Sequence, residues 1–206
     1  MTVEIGVGRR ERNRIRNRNE ILEAAQMEFS INGYHDTSIQ AIAVRADFAV
    51  GTLYQLFDTK ENLYRELLID YAEQARIRFT EALSTASTSY ERLVNYVRAK
   101  GELFEDRIPL ARLILMETMG TGILFKSGPK PELNMMYDVW HKLLAELFEE
   151  GIRSGEFRRV DPMGAAVTLE GMTNQFIYHW QQEPDTFRYE RAVEQIEDLF
   201  LKPLRA

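Results

Sequence analysis

The chain has 206 residues, of which 45% are apolar and 28% charged, with a net charge of −6 and no cysteine. This composition is that of a folded globular protein, and the lack of cysteine excludes disulfides, thiol nucleophiles and thiolate metal sites. No apolar run approaches the ~20 residues of a membrane-spanning helix, and residues 1–12 lack the apolar stretch of a signal peptide. We therefore expect a soluble cytoplasmic protein without a membrane partner.

The charge is unevenly distributed along the chain. Residues 9–18 contain six arginines and one glutamate, whereas the net negative charge lies within residues 61–206. An arginine-rich segment of this kind is either a solvated tail or a segment that contacts phosphates or the minor groove of DNA. We assign residues 1–17 to a basic N-terminal arm, with Arg12 and Arg14 as candidate DNA contacts.

Apolar residues recur at helical spacing through nearly the whole chain, which predicts an all-α fold with about nine helices. A first helix carries its apolar face through Phe29 and ends at Gly33. The sequence T-S-I-Q at residues 37–40 forms a capping box, with Thr37 as the cap, and begins a second helix that ends near Arg45.

Two short elements and a series of longer helices follow. A third helix covers about residues 49–56, and Asp58 or Thr59 caps a fourth helix that runs to about residue 83. The small polar stretch 84–89 marks a turn or linker. The remaining predicted helices cover residues 89–105, 108–119, 131–154, 162–182 and 186–203.

The second and third helices are joined by the tight turn A-D-F-A at residues 46–49. Such a pair suits a helix-turn-helix, in which the second helix enters the major groove while the first crosses the DNA backbone. Gly51 and Thr52 are small enough for close approach, and the Tyr54 hydroxyl suits a phosphate oxygen. Lys60 begins the fourth helix, where a cation is favourable if it shares a bound phosphate with the helix N-terminus. The alternative is a purely structural three-helix unit.

Residues 21–63 resemble the N-terminal domain of the TetR family of bacterial transcriptional regulators. The matching residues are Ile21, Leu22, Ala24, Ala25, Phe29, Gly33, Tyr34, Thr37, Ser38, Ile42, Ala43, Gly51, Thr52, Leu53, Tyr54, Phe57, Lys60 and Leu63. The resemblance implies a DNA-binding domain over residues 18–64, with its helix-turn-helix at about 37–57. It also implies a ligand-binding and dimerisation domain over residues 65–206, and a homodimer that binds a palindromic operator in double-stranded DNA.

The resemblance also implies which residues contact DNA. The residues expected to contact the DNA backbone are Thr37, Ser38, Thr52, Tyr54 and Lys60. Contacts to base edges or flanking phosphates fall to Arg45, Val50, Thr52 and Gln55. Thr37 has the alternative role of a helix cap alone and Tyr54 that of a core residue, whereas Leu53 and Phe57 are expected in the core.

Three residues depart from the family pattern. Asp47 replaces the usual glycine of the turn, and aspartate enters a left-handed backbone conformation better than most residues. Ala49 replaces the usual capping serine, which forfeits ~1 kcal/mol. Gln55 replaces a common histidine, so the details of base recognition are expected to differ.

The last two predicted helices are suited to dimerisation. The helix of residues 162–182 has a stripe of small or short side chains, and the helix of residues 186–203 has an apolar face. Two such helices from each chain would pair as a four-helix bundle, the alternative being burial of both inside one chain. The candidate dimer residues are Gly164, Thr168, Gly171, Gln175, Val193, Ile196 and Phe200.

Methionines and aromatic residues of the C-terminal part suggest an apolar ligand cavity. The candidates are Phe104, Met116, Met119, Phe125, Met136, Trp140, Met172, Asn174 and Tyr178, each of which has the alternative role of plain core or surface. The expected function is a repressor released from its operator by a small apolar or amphipathic effector. An activator or ligand-independent regulator of the same fold is one rival, and a helical carrier or enzyme without DNA binding is another.

The sequence contains no complete motif of a known enzyme class. The segment GTGILFKS at residues 120–127 has P-loop spacing, but Phe125 replaces the second glycine and no strand precedes it. Asp138 and His141 lie one helical turn apart, and two ligands do not make a metal site. We expect no catalytic residue, metal or cofactor.

Overall fold

The computed structural model describes residues 8–106, 108, 130–183 and 186–206. These residues form eight α-helices: α1 Arg9–Asp36, α2 Ile39–Ala46, α3 Val50–Phe57, α4 Lys60–Ser84, α5 Ser89–Asp106, α6 Lys130–Arg153, α7 Pro162–Gln182 and α8 Tyr189–Ile196. Within these ranges there is no β-strand, only an isolated bridge between Phe157 and Arg205. The all-α class is confirmed. The predicted helix of residues 108–119 lies almost wholly outside the described residues.

The contacts divide the chain into an N-terminal unit, Met1–Leu67, and a C-terminal unit, Leu68–Ala206. The expected boundary after residue 64 lies close to this division. No helix in the described ranges is both long and apolar enough to span a bilayer. The same ranges contain no group of three or more histidine or acidic side chains that could hold a metal ion.

The first helix begins at Arg9, so the described part of the basic arm is helical and continuous with the rest of α1. Arginine has a high intrinsic helix propensity, and the Arg16–Glu20 ion pair at 3.6 Å adds support one turn apart. The helix is interrupted at Gly33, whose φ of 74° and ψ of 172° are not helical. The predicted end of the regular helix at this glycine therefore matches the backbone.

The cap of α2 lies one residue later than expected. Ser38 is the N-cap, and its hydroxyl oxygen accepts a hydrogen bond from the Ala41 N–H at 3.1 Å. The predicted capping box based on Thr37 is wrong. Thr37 is buried, and its hydroxyl donates to the carbonyls of Gly33 at 2.7 Å and Glu28 at 3.1 Å. These tertiary hydrogen bonds to α1 replace the local cap that the sequence pattern favours.

In the C-terminal unit, α5, α6, α7 and α8 surround one hydrophobic core. The helix of residues 162–182 has the predicted bounds, with Asp161 as cap and Pro162 at its first position. The predicted helix of residues 186–203 is wrong in detail. It begins at Tyr189 and changes after Ile196 into a π-helical turn over Glu197–Leu201 and a 3₁₀ turn over Lys202–Leu204. Hydrogen bonds from the Arg158 N–H to the Leu204 carbonyl and from the Ala206 N–H to the Glu156 carbonyl fix this end of the chain.

Candidate nucleic-acid interface and regulatory residues

The turn between α2 and α3 depends on a left-handed aspartate. Asp47 has a φ of 57° and a ψ of 42°, and its N–H bonds back to the carbonyls of Ala43 and Val44. The Phe48 N–H also bonds to the Ala43 carbonyl, at 3.0 Å. The expectation that aspartate replaces the usual glycine without loss of the turn is thus consistent with the backbone.

Helix α3 has one buried and one open face. Leu53 and Phe57 are buried, as expected of core residues, and α3 packs against α2. Gly51, Tyr54 and Gln55 are exposed, and no atom lies within 4 Å of the position that a Cβ on Gly51 would take. Tyr54 is 48% exposed, so its alternative role as a core residue is wrong. Val50 and Thr52 are half-buried beside the open face, and Ser38 is exposed at the start of α2.

Ala49 is the N-cap of α3, and no side chain completes this cap. The exposed residue has extended backbone angles, with φ −68° and ψ 141°, which a serine adopts equally well. We therefore expect Ala49→Ser to stabilise the protein by up to ~1 kcal/mol, measured as a rise in the urea midpoint. An unchanged midpoint would contradict the prediction that a serine at residue 49 caps α3.

Arg45 is held by a carboxylate that the sequence analysis missed. Its Nε donates to Glu28 Oε1 at 2.6 Å, and Glu28 also accepts from Asn32 Nδ2 at 3.1 Å. Glu28 is largely buried in α1 whereas Arg45 is exposed at the end of α2. The pair therefore orients the guanidinium beside the helix-turn-helix. An acidic residue within the apolar face of α1, directly before Phe29, was the available signal.

Lys60 is half-buried, and its ammonium bonds to the end of α1. Its Nζ donates to the carbonyls of Tyr34 at 2.8 Å, Thr37 at 2.9 Å and His35 at 3.4 Å. The ammonium also lies 4.5 Å from the centre of the Tyr34 ring. The carbonyls at the end of α1 lack helical partners, and a cation is favourable there. The donors of the ammonium thus bond to carbonyls at the end of α1, and we expect these contacts in place of the predicted phosphate contact. We call this set of contacts the Lys60 clamp. The burial of the Thr37 hydroxyl likewise removes that side chain from the phosphate-facing surface.

The described arginines of the arm lie on the open surface of α1. Arg12 and Arg14 are both exposed, and Arg14 Nη1 lies 4.0 Å from Glu11 Oε1, a weak surface pair. Further along, Arg18 bonds to Glu66 and lies 5.7 Å from the Phe57 ring centre. Arg12 and Arg14 remain candidates for phosphate contact, whereas Arg18 joins α1 to α3 and to the start of α4.

The dimer candidates separate into two groups. The α7 residues Gly164, Thr168, Gly171 and Gln175 are all exposed. By contrast, Val193 and Ile196 of α8 are buried within the same chain, and Phe200 packs partly against its core. The assignment of Val193 and Ile196 to a surface between two chains is wrong, because a single chain already covers them. The exposed apolar residues of α7 are Met163, Val167 and Tyr178, none of which the sequence analysis assigned to the dimer.

The described ligand candidates are mostly core residues. Phe104 and Trp140 are buried, and Met172 packs partly against the same core. Asn174 is half-buried and Tyr178 is exposed. Met116, Met119 and Phe125 lie outside the described residues, as does the side chain of Met136.

Comparison with known proteins identifies the N-terminal unit. Residues 21–67 match the model described as bacterial regulatory proteins, tetR family. The chain is 26% identical over 190 residues to the HTH-type transcriptional regulator YhgD of Bacillus subtilis, covering 90% of this chain and 95% of YhgD. It is also 26% identical over 144 residues to the HTH-type transcriptional repressor KstR2 of Mycolicibacterium smegmatis, covering 68% of this chain and 67% of KstR2.

The fold also has a counterpart among solved structures. AibR, solved in complex with isovaleryl coenzyme A and operator DNA, matches with a TM-score of 0.75 at 24% identity, over 92% of this chain and 98% of AibR. The family match covers α2 and α3, and the open face lies on α3. The relatives whose match extends into the C-terminal unit are transcriptional regulators. Residues 21–67 therefore form a DNA-binding domain of the tetR family, and the chain is a DNA-binding transcriptional regulator rather than an enzyme.

Proposed function

We propose that this regulator is a homodimeric repressor that binds a palindromic operator and is released from it by a small apolar or amphipathic effector. The observation that carries the proposal is the open face of α3, on which Gly51, Tyr54 and Gln55 lie side by side. A short helix with small and hydrogen-bonding residues on its free face fits the major groove. KstR2, to which the chain is similar over 144 residues, is named a repressor.

Within this interface, Tyr54 and Ser38 would contact phosphates, and Gln55 would read a base edge. Val50 and Thr52 would lie at the groove wall, where a methyl group can meet that of a thymine. Arg45, held at Nε by Glu28, would present the rest of its guanidinium to a flanking phosphate. Arg12 and Arg14 would add sequence-independent contacts from α1.

The exposed face of α7 would form the dimer. Gly164, Thr168 and Gly171 allow close approach of a second helix, and Val167 and Tyr178 supply apolar area that the chain itself does not cover. A two-fold axis brings the same face of the second chain against it, as most homodimers require. Gln175 would supply a polar contact within that interface.

Release by an effector requires that the effector bind the DNA-incompetent state more tightly. Helix α4 contributes Lys60–Leu67 to the N-terminal unit and its remaining residues to the C-terminal unit, so it is the element through which the two would be coupled. The presence of an acyl thioester with AibR supports an amphipathic effector class.

The test is a pair of calorimetric titrations with acyl coenzyme A thioesters of increasing chain length as probes. Each probe is titrated into the full chain alone and into the chain saturated with an operator selected from random duplexes. Typical coupling of about 1–3 kcal/mol predicts that the operator weakens probe binding by roughly 5- to 150-fold. Binding of a probe with equal affinity in both titrations would rule out release and favour a ligand-independent regulator.

A further inference from the structure

An ion pair joins α1 to α2 within the DNA-binding domain. The side chain of Glu28 is 11% exposed, whereas that of Arg45 is 41% exposed. Both carboxylate oxygens have partners: Oε1 accepts from Arg45 Nε at 2.6 Å, and Oε2 accepts from Asn32 Nδ2 at 3.1 Å. Because Asn32 lies one turn further along the same helix, the carboxylate is fixed to α1, and the guanidinium is fixed to the carboxylate.

A hollow in the surface beside this pair gives Arg45 room for other conformations. Its volume is about 450 Å³, and it is lined by Glu28, Gln40, Ala41, Val44 and Arg45. Val44 is 82% exposed, so the hollow is open to solvent on this side. The direction of the guanidinium therefore depends on the ion pair with Glu28 rather than on close packing.

A carboxylate beside an arginine that binds phosphate has two opposite effects on DNA binding. It orients the guanidinium, since an arginine held at Nε presents its two terminal nitrogens to an acceptor that approaches from one direction. It also repels a phosphate that comes close without this alignment, because two negative charges then meet. The first effect favours one docked position, and the second disfavours the others.

The docked position is what distinguishes an operator from other DNA. On an operator, contacts to base edges fix the register, and each phosphate lies at a defined place relative to the protein. On other sequences the protein takes many registers, and a mobile arginine would follow the phosphates in each of them. An arginine fixed to a carboxylate cannot do so. A repulsive element that acts against the wrong partner is a general source of specificity.

We propose that Glu28 is a specificity-determining residue, which confines Arg45 to the direction required at the operator and thereby lowers the affinity for all other DNA. Glu28 is a positioning residue, because it acts through Arg45 and not by a contact of its own with DNA. The proposal rests on the proposed function, in which Arg45 binds a flanking phosphate. It deepens that function by assigning selectivity to a residue that faces α2 from α1.

The experiment measures binding of the full chain to two duplexes by fluorescence anisotropy. One is the operator selected from random duplexes, and the other has the same length and base composition in scrambled order. The variant is Glu28→Gln, which removes the charge with little change in size. Glu23→Gln, at an exposed position of the same helix, is the matched control for the loss of one negative charge. Arg45 and Asn32 are both exposed, so both stay solvated in the variant, which should fold.

Glu28→Gln should lower the ratio of operator affinity to scrambled-duplex affinity by about fivefold, because a mobile arginine must then be ordered on the operator. The scrambled duplex should bind Glu28→Gln more tightly than it binds Glu23→Gln. In a chain that already carries Arg45→Gln, the further change Glu28→Gln should leave the ratio unchanged. This comparison separates the proposal from a structural role or a general effect of charge, since either would persist without Arg45.

Two results would overturn the proposal: an equal ratio in Glu28→Gln and Glu23→Gln, or an equal fall of the ratio with and without Arg45. If urea unfolding shows that Glu28→Gln does not fold, Glu28→Met supplies the same comparison, because the position is buried. No effector is present, so the titrations do not depend on release. An unmodified chain that selects no operator would overturn both proposals, whereas a selected operator with a ratio independent of Glu28 would overturn this one alone.

Discussion

Lys60→Met is expected to lower the stability of the protein by about 2 kcal/mol, because three carbonyls at the end of α1 lose a charged donor. Methionine keeps the apolar stem of the side chain, so the loss reports on the ammonium. The Lys60 clamp joins the first turn of α4 to the segment that precedes α2, and operator affinity should fall as that segment loosens. The measurement is a urea unfolding curve, and an unchanged midpoint would contradict the clamp.

The salt dependence of DNA binding separates the clamp from a phosphate contact. Lys60→Met should leave the slope of log affinity against log salt unchanged, since its ammonium is occupied within the protein. Arg14→Gln, at an exposed position of α1, should lower that slope by about one unit with little effect on stability. A loss of one unit in Lys60→Met would return Lys60 to the set of phosphate contacts.

Gly171→Glu is expected to produce a folded monomer whose operator affinity falls by roughly 100-fold or more, because two linked half-site contacts become one. Gly171 is exposed, and no atom lies within 4 Å of the position of a Cβ there, so the single chain accommodates the larger side chain. In a two-fold dimer the new carboxylates would be buried against the partner helix, which is unfavourable. Sedimentation velocity gives the oligomeric state and fluorescence anisotropy the operator affinity.

The controls for this prediction come from two other helices. Lys142→Glu introduces a carboxylate at an exposed site on α6 and should leave the dimer intact. Ile196→Glu should instead unfold the C-terminal unit, because Ile196 is 0% exposed in the single chain and a charge there has no partner. Gly171→Glu monomers that bind the operator with full affinity would show that α7 does not form the functional interface.

The pH dependence of stability tests the buried ion pair in which Lys100 Nζ of α5 lies 2.7 Å from Glu170 Oε2 of α7. Burial raises the pKa of Glu170, but the Lys100 charge and the hydrogen bonds from Lys100 and Tyr96 outweigh it. The folded-state pKa is therefore lowered, so the contribution of Glu170 to stability is present above the pKa of the unfolded chain. That contribution should be lost as the pH falls through the lower, folded-state value. Unfolding curves at acidic pH should therefore show a smaller decline in stability for Lys100→Met with Glu170→Gln than for the unmodified chain. Equal declines would contradict a depressed pKa.

The sequence by itself determined the helix bounds and the turn, because both depend on residues that are neighbours in the chain. Helical spacing and the Asp161-Pro162 cap predicted the bounds of α7, and small residues around the turn at 46–49 predicted the α2–α3 pair. Asp47 could be expected in its left-handed conformation, because that tolerance belongs to the residue itself. The open face of α3 followed from the alternation of Leu53 and Phe57 with smaller or polar residues.

The tertiary structure alone decided which partner each side chain would have. The carbonyls that bind Lys60 lie 23–26 residues earlier in the chain, and those that accept from Thr37 belong to α1. Local pattern assigns a lysine to a helix N-terminus without showing that a neighbouring helix end already occupies it. Likewise, an apolar stripe such as that of α8 shows that a face is buried, but not whether the same chain or a second copy covers it. The hydrophobic effect is not directional, so an apolar pattern does not identify the surface that covers it. Only the packing of α8 against α5 and α7 placed Val193 and Ile196 inside one chain.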